Sequence, residues 1–498
     1  MSKRLIQFSR TPWLPALPPR GAGEPLQRWI HRALRGAIVG GRLGPGAAVP
    51  SSRALAASLG VARGTVVLAF EQLVAEGYLE ARPGAGMRVS AQVPDTLLSP
   101  GRPRRAGGAA APSAPRPVFS PFSGSLPAVA FAPHRCETRV LPVDVLRRLH
   151  GRLLRGHNRW LFEDGPAAGL PALRQAIAAH LGEARGLAVD REQVLVVSSM
   201  QQALDVCLRV LGAPGDPVWL EDPGYPGARH LVRLAGRVPV FVPVDAEGLQ
   251  VDAGIARAPQ AGLACVTPSR QAPLGVAMSP ARRAQLLAWA RRASALVFED
   301  DYDSEYRFRS RPVPPLAAED PARVLLAGSF GKLLYPGLRL SYLVCPPGWT
   351  DAFAAALSLT ARHPNLLTQA VLAAFIAEGH FARHVRRMRR VYVERAAAFE
   401  DRARRLWAGL LELPAMQAGL DVTGRLAFAC ADRDAARALR DQGVESLPLS
   451  GYCAAARLPP GLVLGFGAVD EDELDRAAPR VARVLEAMRT ASATRAPA

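Results

Sequence analysis

Apolar positions in residues 25–43 recur with helical spacing: Leu26, Trp29/Ile30, Ala33/Leu34 and Ala37/Ile38 share one stripe, and Gly40-Gly41 ends it. Pro50-Ser51-Ser52-Arg53 follows, where Ser51 or Ser52 can cap a second helix running through Leu59. After a tight turn at Gly60-Val61-Ala62, Arg63–Glu76 places Val66, Ala69/Phe70 and Leu73 inward on a third helix stopped by Gly77. Residues 78–82 and 87–89 then flank Pro83-Gly84-Ala85-Gly86 as a short hairpin. Residues 92–120 carry no apolar periodicity and are rich in Pro, Gly, Ala and Arg, which predicts a linker. From residue 121 to 498, short apolar runs alternate with Ala/Leu/Arg-rich helical stretches. The predicted strands are Val194–Val197, Val218–Leu220, Val238–Val244, Leu263–Val266, Ala295–Phe298, Val324–Ala327 and Tyr342–Cys345. Such alternation indicates a parallel or mixed sheet covered on both faces, hence an α/β class for the larger part.

Charge separates the zones further. The chain carries +19 overall, and residues 1–91 hold 12 Lys/Arg against 4 Asp/Glu. A basic segment with the order helix, helix, turn, helix, two-stranded wing is a winged helix-turn-helix. The helix after the turn enters the major groove of double-stranded DNA by its N-terminal residues, here Arg63, Gly64 and Thr65. Arg53 opens the preceding helix within reach of phosphate, and Arg82 and Arg88 ride on the wing. The six cysteines are scattered without a CxxC or Cys/His cluster, so no metal site is expected. No apolar signal core and no membrane span are visible, which predicts a cytoplasmic protein.

Only two of the 62 basic residues are lysines, Lys3 and Lys332. Arginine serves wherever a plain positive charge is needed, and arginine cannot lose its proton to attack a carbonyl, whereas a partly buried lysine can. Pyridoxal 5′-phosphate requires such a lysine, a carboxylate at its ring nitrogen, an aromatic side chain against its ring and a phosphate cup. Each has a counterpart. Asp300, in the run Glu299–Tyr302 after the strand Ala295–Phe298, faces the ring nitrogen, and Tyr302 bonds the phenolic oxygen. Tyr225 follows another strand and stacks. The strand-to-helix turn at Ser199, Met200 and Gln201 offers backbone N–H groups to the phosphate, with Ser329 and Arg339 on either side of Lys332.

The stretch PSSRALAASLGVARGTVVLAFEQLVAEGYLEARPGAGMRV resembles the DNA-binding domain of GntR-family transcription regulators. GPAAGLPALR, SSMQQALD, VWLEDPGYPGARH, TPSRQAPLG, FEDDYDSEYRF and GSFGKLLYPGLRLSY resemble fold-type I aminotransferases, and more closely the effector domain of MocR-type regulators, a GntR subgroup. The resemblance implies three parts. Residues 1–91 form a mainly helical winged head, and residues 92–120 a linker. Residues 121–498 form an aminotransferase-like domain with a mostly parallel sheet (about 160–350) and a smaller C-terminal α+β subdomain (about 360–490). It also implies that Lys332 holds pyridoxal phosphate as an internal aldimine, that the protein is a homodimer, and that the effector is either the cofactor, as in vitamin B6-responsive members, or an amino compound. The implied function is a transcription regulator whose ligand state at Lys332 controls DNA binding. A working aminotransferase with an accessory head is the alternative.

Several positions depart from the family pattern. Ala62 replaces a Ser at the turn. Ser199-Met200 stands for Gly-Ser, and Gly331 for a Ser before the lysine. Arg270, Ala272 and Leu274 replace His, Phe and Thr, and Asp421 replaces a His. Val463 occupies the place of an arginine that grips a substrate carboxylate, which favours the cofactor itself as effector and speaks against efficient transamination.

Overall fold

The structure, a computed structural model, describes residues 18–82, 86–93, 129–307, 309 and 313–495. The chain divides into two compact units, Met1–Arg116 and Pro117–Ala498. Almost all of the predicted linker lies outside the described residues, as do Pro83, Gly84 and Ala85 of the wing turn.

In the first unit, α1 (Leu26–Val39) buries Ile30, Ala33, Leu34, Ala37 and Ile38, the predicted stripe, and ends before Gly40. In α2 (Ser52–Leu59) the Ser51 hydroxyl accepts the Ala54 N–H at 3.2 Å, so Ser51 is the cap, and Gly60 leaves the helix at φ 64°, a left-handed conformation that suits glycine. The third helix, α3 (Arg63–Ala75), inserts Val66, Ala69, Phe70 and Leu73 between them. Its N-cap is Ala62, which offers no side-chain acceptor. The wing is an antiparallel pair, β1 (Leu79–Arg82) and β2 (Gly86–Val89), with Leu79 opposite Val89.

The second unit is built on an eight-stranded sheet of order β3-β10-β9-β8-β7-β4-β5-β6. Its strands are β3 (Val194–Val197), β4 (Pro217–Asp222), β5 (Val238–Asp245), β6 (Gly248–Leu249), β7 (Leu263–Val266), β8 (Leu296–Asp301), β9 (Val324–Ser329) and β10 (Ser341–Val344). Strands β5, β4, β7, β8 and β9 run parallel, while β10 is antiparallel to both β9 and β3. Alternate residues feed opposite faces. Val194, Val196, Ala264, Val266 and Val297 pack into one apolar cluster, and Leu195, Val197, Leu263, Cys265 and Phe298 into another. Burial of both faces explains the unbroken apolar runs. Strand β8 ends later than predicted: it continues through the acidic run to Asp301, where Glu299 and Asp301 find partners.

A second sheet of order β11-β12-β14-β13 comprises β11 (Leu411–Glu412), β12 (Asp421–Leu426), β13 (Leu447–Pro448) and β14 (Gly461–Gly465), all antiparallel. It packs with the helices His380–Leu406 and Glu471–Arg495 around Phe131, Phe399, Trp407, Leu462 and Leu464. Two of these strands, β11 and β13, are only two residues long, and all four sit among long helical stretches, so periodicity did not mark them.

Candidate functional site

The carboxyl ends of β3, β4, β7, β8 and β9 meet at one rim, where open α/β sheets bind ligands. A cavity of about 470 Å³ opens there. Every cofactor-site residue expected from the sequence lines it: Ser199, Met200, Gln201, Tyr225, Asp300, Tyr302, Ser329, Lys332 and Arg339.

The acidic run shows how the strand sorts its side chains. Glu299 accepts the N–H groups of Leu316 and Ala317 at 3.0 and 3.2 Å, capping a short helix. Asp301 pairs with Arg185 at 2.5 Å, and Asp303 with Arg270 at 2.9 Å. Asp300 points the other way, into the cavity, and its buried Oδ1 has no hydrogen-bond partner. Burial, then the charges of Asp301, Glu221 and Asp303, push the Asp300 carboxyl up to about 8. A half-buried carboxyl with an unpartnered buried oxygen at the end of a central strand fits a cationic ring nitrogen.

Lys332 sits in the short helix Phe330–Leu333 after β9. Its Nζ donates to the His134 carbonyl at 2.8 Å. Burial lowers its pKa, an effect opposed by Asp421, Cys136, Asp303 and Asp300, so the neutral amine needed for attack on an aldehyde becomes more accessible. Gln201 Nε2 donates to the Tyr225 hydroxyl at 2.6 Å and fixes that ring at the cavity wall. Arg270 Nη1 donates to the Tyr302 oxygen at 2.8 Å, leaving the Tyr302 proton to face the cavity. Ser199 caps the helix Met200–Val210 by accepting the Gln202 N–H at 3.1 Å, while the Gln202 side chain holds Ser198 through its N–H and hydroxyl. The first N–H groups of that helix have no acceptor within it, which suits an anion. Arg339, at φ 51°, brings an exposed guanidinium to the same cavity.

Two departures that look independent in the sequence are one feature. Arg270 Nη2 donates to the Asp421 side chain and to its carbonyl, both at 2.6 Å. Burial alone would raise Asp421, but Arg270 and then His134 hold it well below the usual carboxylate range. Where the family pattern has two histidines, this chain has an ion pair. Val463 is fully buried, on the face of β14 opposite Leu462 and Leu464 and paired with Thr423.

Three participants escaped the sequence reading. His134 Nδ1 lies 2.6 Å from Asp421 Oδ2 and its Nε2 lies 2.8 Å from the Tyr452 hydroxyl. Both residues line the cavity, and Asp303 completes the Arg270 network behind it. Nothing local marks His134 and Tyr452, which converge from positions 318 apart in the chain, whereas Asp303 lies 33 residues from Arg270.

On the first unit, Arg53, Arg63 and Gly64 are exposed and Thr65 half-buried at the start of α3 and α2. Arg63 Nε donates to the Ser52 hydroxyl at 3.4 Å. Arg88 Nη1 donates to the Gly46 carbonyl at 2.9 Å, so part of its guanidinium holds the wing to the preceding loop. Arg82 ends β1, and its side chain lies outside the described residues. A Cβ on Gly64 would meet nothing within 4 Å, so nothing in the fold itself requires glycine there.

No helix among the described residues is long and apolar enough to cross a membrane. The family described as bacterial regulatory proteins, gntR family, matches residues 26–89, and aminotransferase class I and II matches residues 141–481. The chain is 39% identical over 458 residues to the probable rhizopine catabolism regulatory protein MocR of Rhizobium meliloti, covering 91% of this chain and 92% of that one. It is 32% identical to the HTH-type pyridoxine biosynthesis transcriptional regulator PdxR of Corynebacterium glutamicum, covering 89% and 92%. It is 35% identical to the HTH-type transcriptional regulator TauR of Rhodobacter capsulatus, covering 76% and 79%. Among solved structures it is similar to the α-aminoadipate aminotransferase LysN of Thermus thermophilus, in complex with N-(5′-phosphopyridoxyl)-L-leucine, at TM-score 0.67 and 27% identity over 73% of this chain and 93% of that one. The chain belongs to the MocR-type GntR regulators, in which a gntR head is joined to an aminotransferase class I and II domain.

Proposed function

We propose that this regulator holds pyridoxal 5′-phosphate on Lys332 and that the ligand state of that site sets how its paired heads engage an operator in double-stranded DNA. The observation that carries the cofactor is Asp300, a half-buried carboxyl whose buried Oδ1 has no partner, in the same cavity as a half-buried lysine. When bound, pyridoxal phosphate supplies an electron sink next to the attached amine. The chain's own residues do the rest. Lys332 loses a proton at Nζ and leaves the His134 carbonyl. Asp300 would hold the ring nitrogen, its carboxyl supplying the proton and the counter-charge there. Tyr302, fixed by Arg270, donates to the ring's phenolic oxygen. Tyr225 covers one ring face. Ser199, the first N–H groups of Met200 and Gln201, Ser329 and Arg339 receive the phosphate.

On the head, Arg63, Gly64 and Thr65 reach base edges, while Arg53, Arg82 and Arg88 meet the backbone or minor groove. A homodimer of the second unit brings two heads to two half-sites. Ligand control requires unequal ligand affinity in the two head arrangements. The names of MocR and PdxR, with their reference to rhizopine catabolism and pyridoxine biosynthesis, support an effector that is either vitamin B6 or an amino compound.

The test is a visible absorption spectrum of the purified protein with and without pyridoxal phosphate, next to Lys332→Ala, with operator binding measured under each condition. The parent should bind the cofactor and change its DNA affinity, and the variant should do neither. A variant that keeps both the band and the DNA response defeats the proposal. Sustained multiple turnover with amino donors and keto acids would favour the aminotransferase alternative.

A further inference from the structure

A second cavity, of about 40 Å³, adjoins the one that Lys332 lines: Tyr225, Thr267 and Asp300 belong to both. Glu221 lines the smaller one alone. It is a buried carboxyl with no part in holding the cofactor. Glu221 stands near the end of β4 and Asp300 near the end of β8, with β7 between them. Neighbouring strands lie about 4.8 Å apart, so these two positions are about 10 Å apart across β7.

Neither carboxyl has a cation. Asp301 pairs with Arg185 and Asp303 with Arg270, whereas Glu221 and Asp300 form no ion pair among the described residues. Their hydrogen bonding differs. Glu221 accepts three donors: the Thr267 N–H at 3.1 Å, the Thr267 hydroxyl at 2.5 Å and Gln271 Nε2 at 3.2 Å. Asp300 Oδ1 is buried and accepts none. Donors favour the ionised form of a carboxyl, and their lack favours the protonated one. At about 10 Å in an effective dielectric of about 20, one charge displaces the titration of the other by about one pH unit. Burial raises both groups. The bonds from Thr267 and Gln271 restrain Glu221, while the charges of Asp301, Glu221 and Asp303 raise Asp300 further.

We infer that Glu221 and Asp300 share one proton: Glu221 carries the charge, Asp300 carries the proton, and Glu221 is thereby the positioning residue that presents Asp300 to a ring nitrogen in its proton-bearing form. The ring nitrogen rests on the cofactor reading above, whereas the shared proton belongs to the chain alone. The other titratable groups near Asp300 are Asp301, Asp303, Lys332, Tyr225, Tyr302 and Cys265. Arginines neutralise the two aspartates, burial raises the tyrosines and the thiol, and the lysine is common to every variant below.

The experiment follows the infrared absorption of protonated carboxyl groups against pH in the full chain without cofactor. The parent spectrum minus that of Asp300→Asn isolates Asp300, whose midpoint should lie at about 8. The same difference taken in a Glu221→Gln background should place it about one pH unit lower, because the charge that holds the proton on Asp300 is gone. Glu221→Asp keeps that charge and should restore a midpoint close to the parent's. Thr267→Val removes a donor from Glu221, which then ionises less readily, so the Asp300 midpoint should again fall, by less. That variant decides the matter if Glu221→Gln does not fold. A midpoint unmoved by Glu221→Gln or, where that chain does not fold, by Thr267→Val overturns the inference. So does a fall as large in Glu221→Asp as in Glu221→Gln, since that would mark a structural effect. The cofactor reading is scored separately, by the Lys332-dependent absorption band: its absence would overturn that reading and leave the shared proton standing.

Discussion

Arg270 and Asp421 meet at 2.6 Å across the gap between the loop after β7 and the first residue of β12, and both are almost fully buried. The contact joins the large sheet to the small one directly behind Tyr302 and His134. A buried pair of this kind adds little over an apolar replacement, but losing one partner strands the other charge. Arg270→Met should therefore destabilise the unit by about 3–5 kcal/mol. The double variant Arg270→Met/Asp421→Asn should cost clearly less than the two single changes summed. Denaturant unfolding of the four proteins measures the coupling, and additive losses would show that the pair does not act as a unit.

Asp300 gives the unliganded protein a pH dependence of determinate sign. Its folded-state value of about 8 exceeds the ordinary aspartate value near 4, so the folded chain keeps a proton that the unfolded chain releases. Its contribution to stability is thus complete below pH ~4, falls as pH climbs to ~8, and is level above that. Asp300→Asn should remove this slope, leaving the variant more stable than the parent at pH ~8 by on the order of a few kcal/mol while matching it near pH ~4. Glu221 and Glu299, both raised by burial to about 7, titrate in the same window, so the parent–variant difference is the quantity to follow. The same substitution should abolish retention of the cofactor.

At the head, stability and DNA binding should separate. Ala62→Ser supplies the missing cap acceptor and should raise the unfolding free energy by about 1 kcal/mol. Gly64→Ala should also stabilise, by roughly 0.5 kcal/mol, since the added methyl meets nothing and helical glycine is unfavourable. It should weaken operator binding all the same, because the methyl would stand between α3 and the groove. Unchanged operator affinity would remove Gly64 from the interface.

The cations of the head should divide by salt dependence. Arg53→Ala, at the position proposed to face phosphate, should lower affinity for all sequences and reduce the slope of log affinity against log salt by about 1. Arg63→Ala should instead relax discrimination at one base pair, at a cost of about 1–3 kcal/mol. Titrations over several salt concentrations on operator and scrambled DNA distinguish the two.

Much of this was legible in the chain because it is written locally. Lys332 stands out in an arginine-rich sequence, Asp300 follows a strand, and Ser51 precedes a helix. The sheet strands are apolar on both faces and announce themselves. His134, Tyr452 and the Arg270–Asp421 bond were not legible, since each depends on residues brought together by the two sheets. Strands β11 and β13 are only two residues long, and β14 is buried at every position, so no period-two alternation shows in them. Reading Arg270 and Asp421 as separate losses was the natural error, because only the folded chain shows one substitution answering the other.

The Lys332 amine rests on the carbonyl of His134. Phe131, three residues earlier, is locked in the core of the small sheet. Whatever engages the amine therefore also frees a backbone carbonyl on a segment anchored in that core.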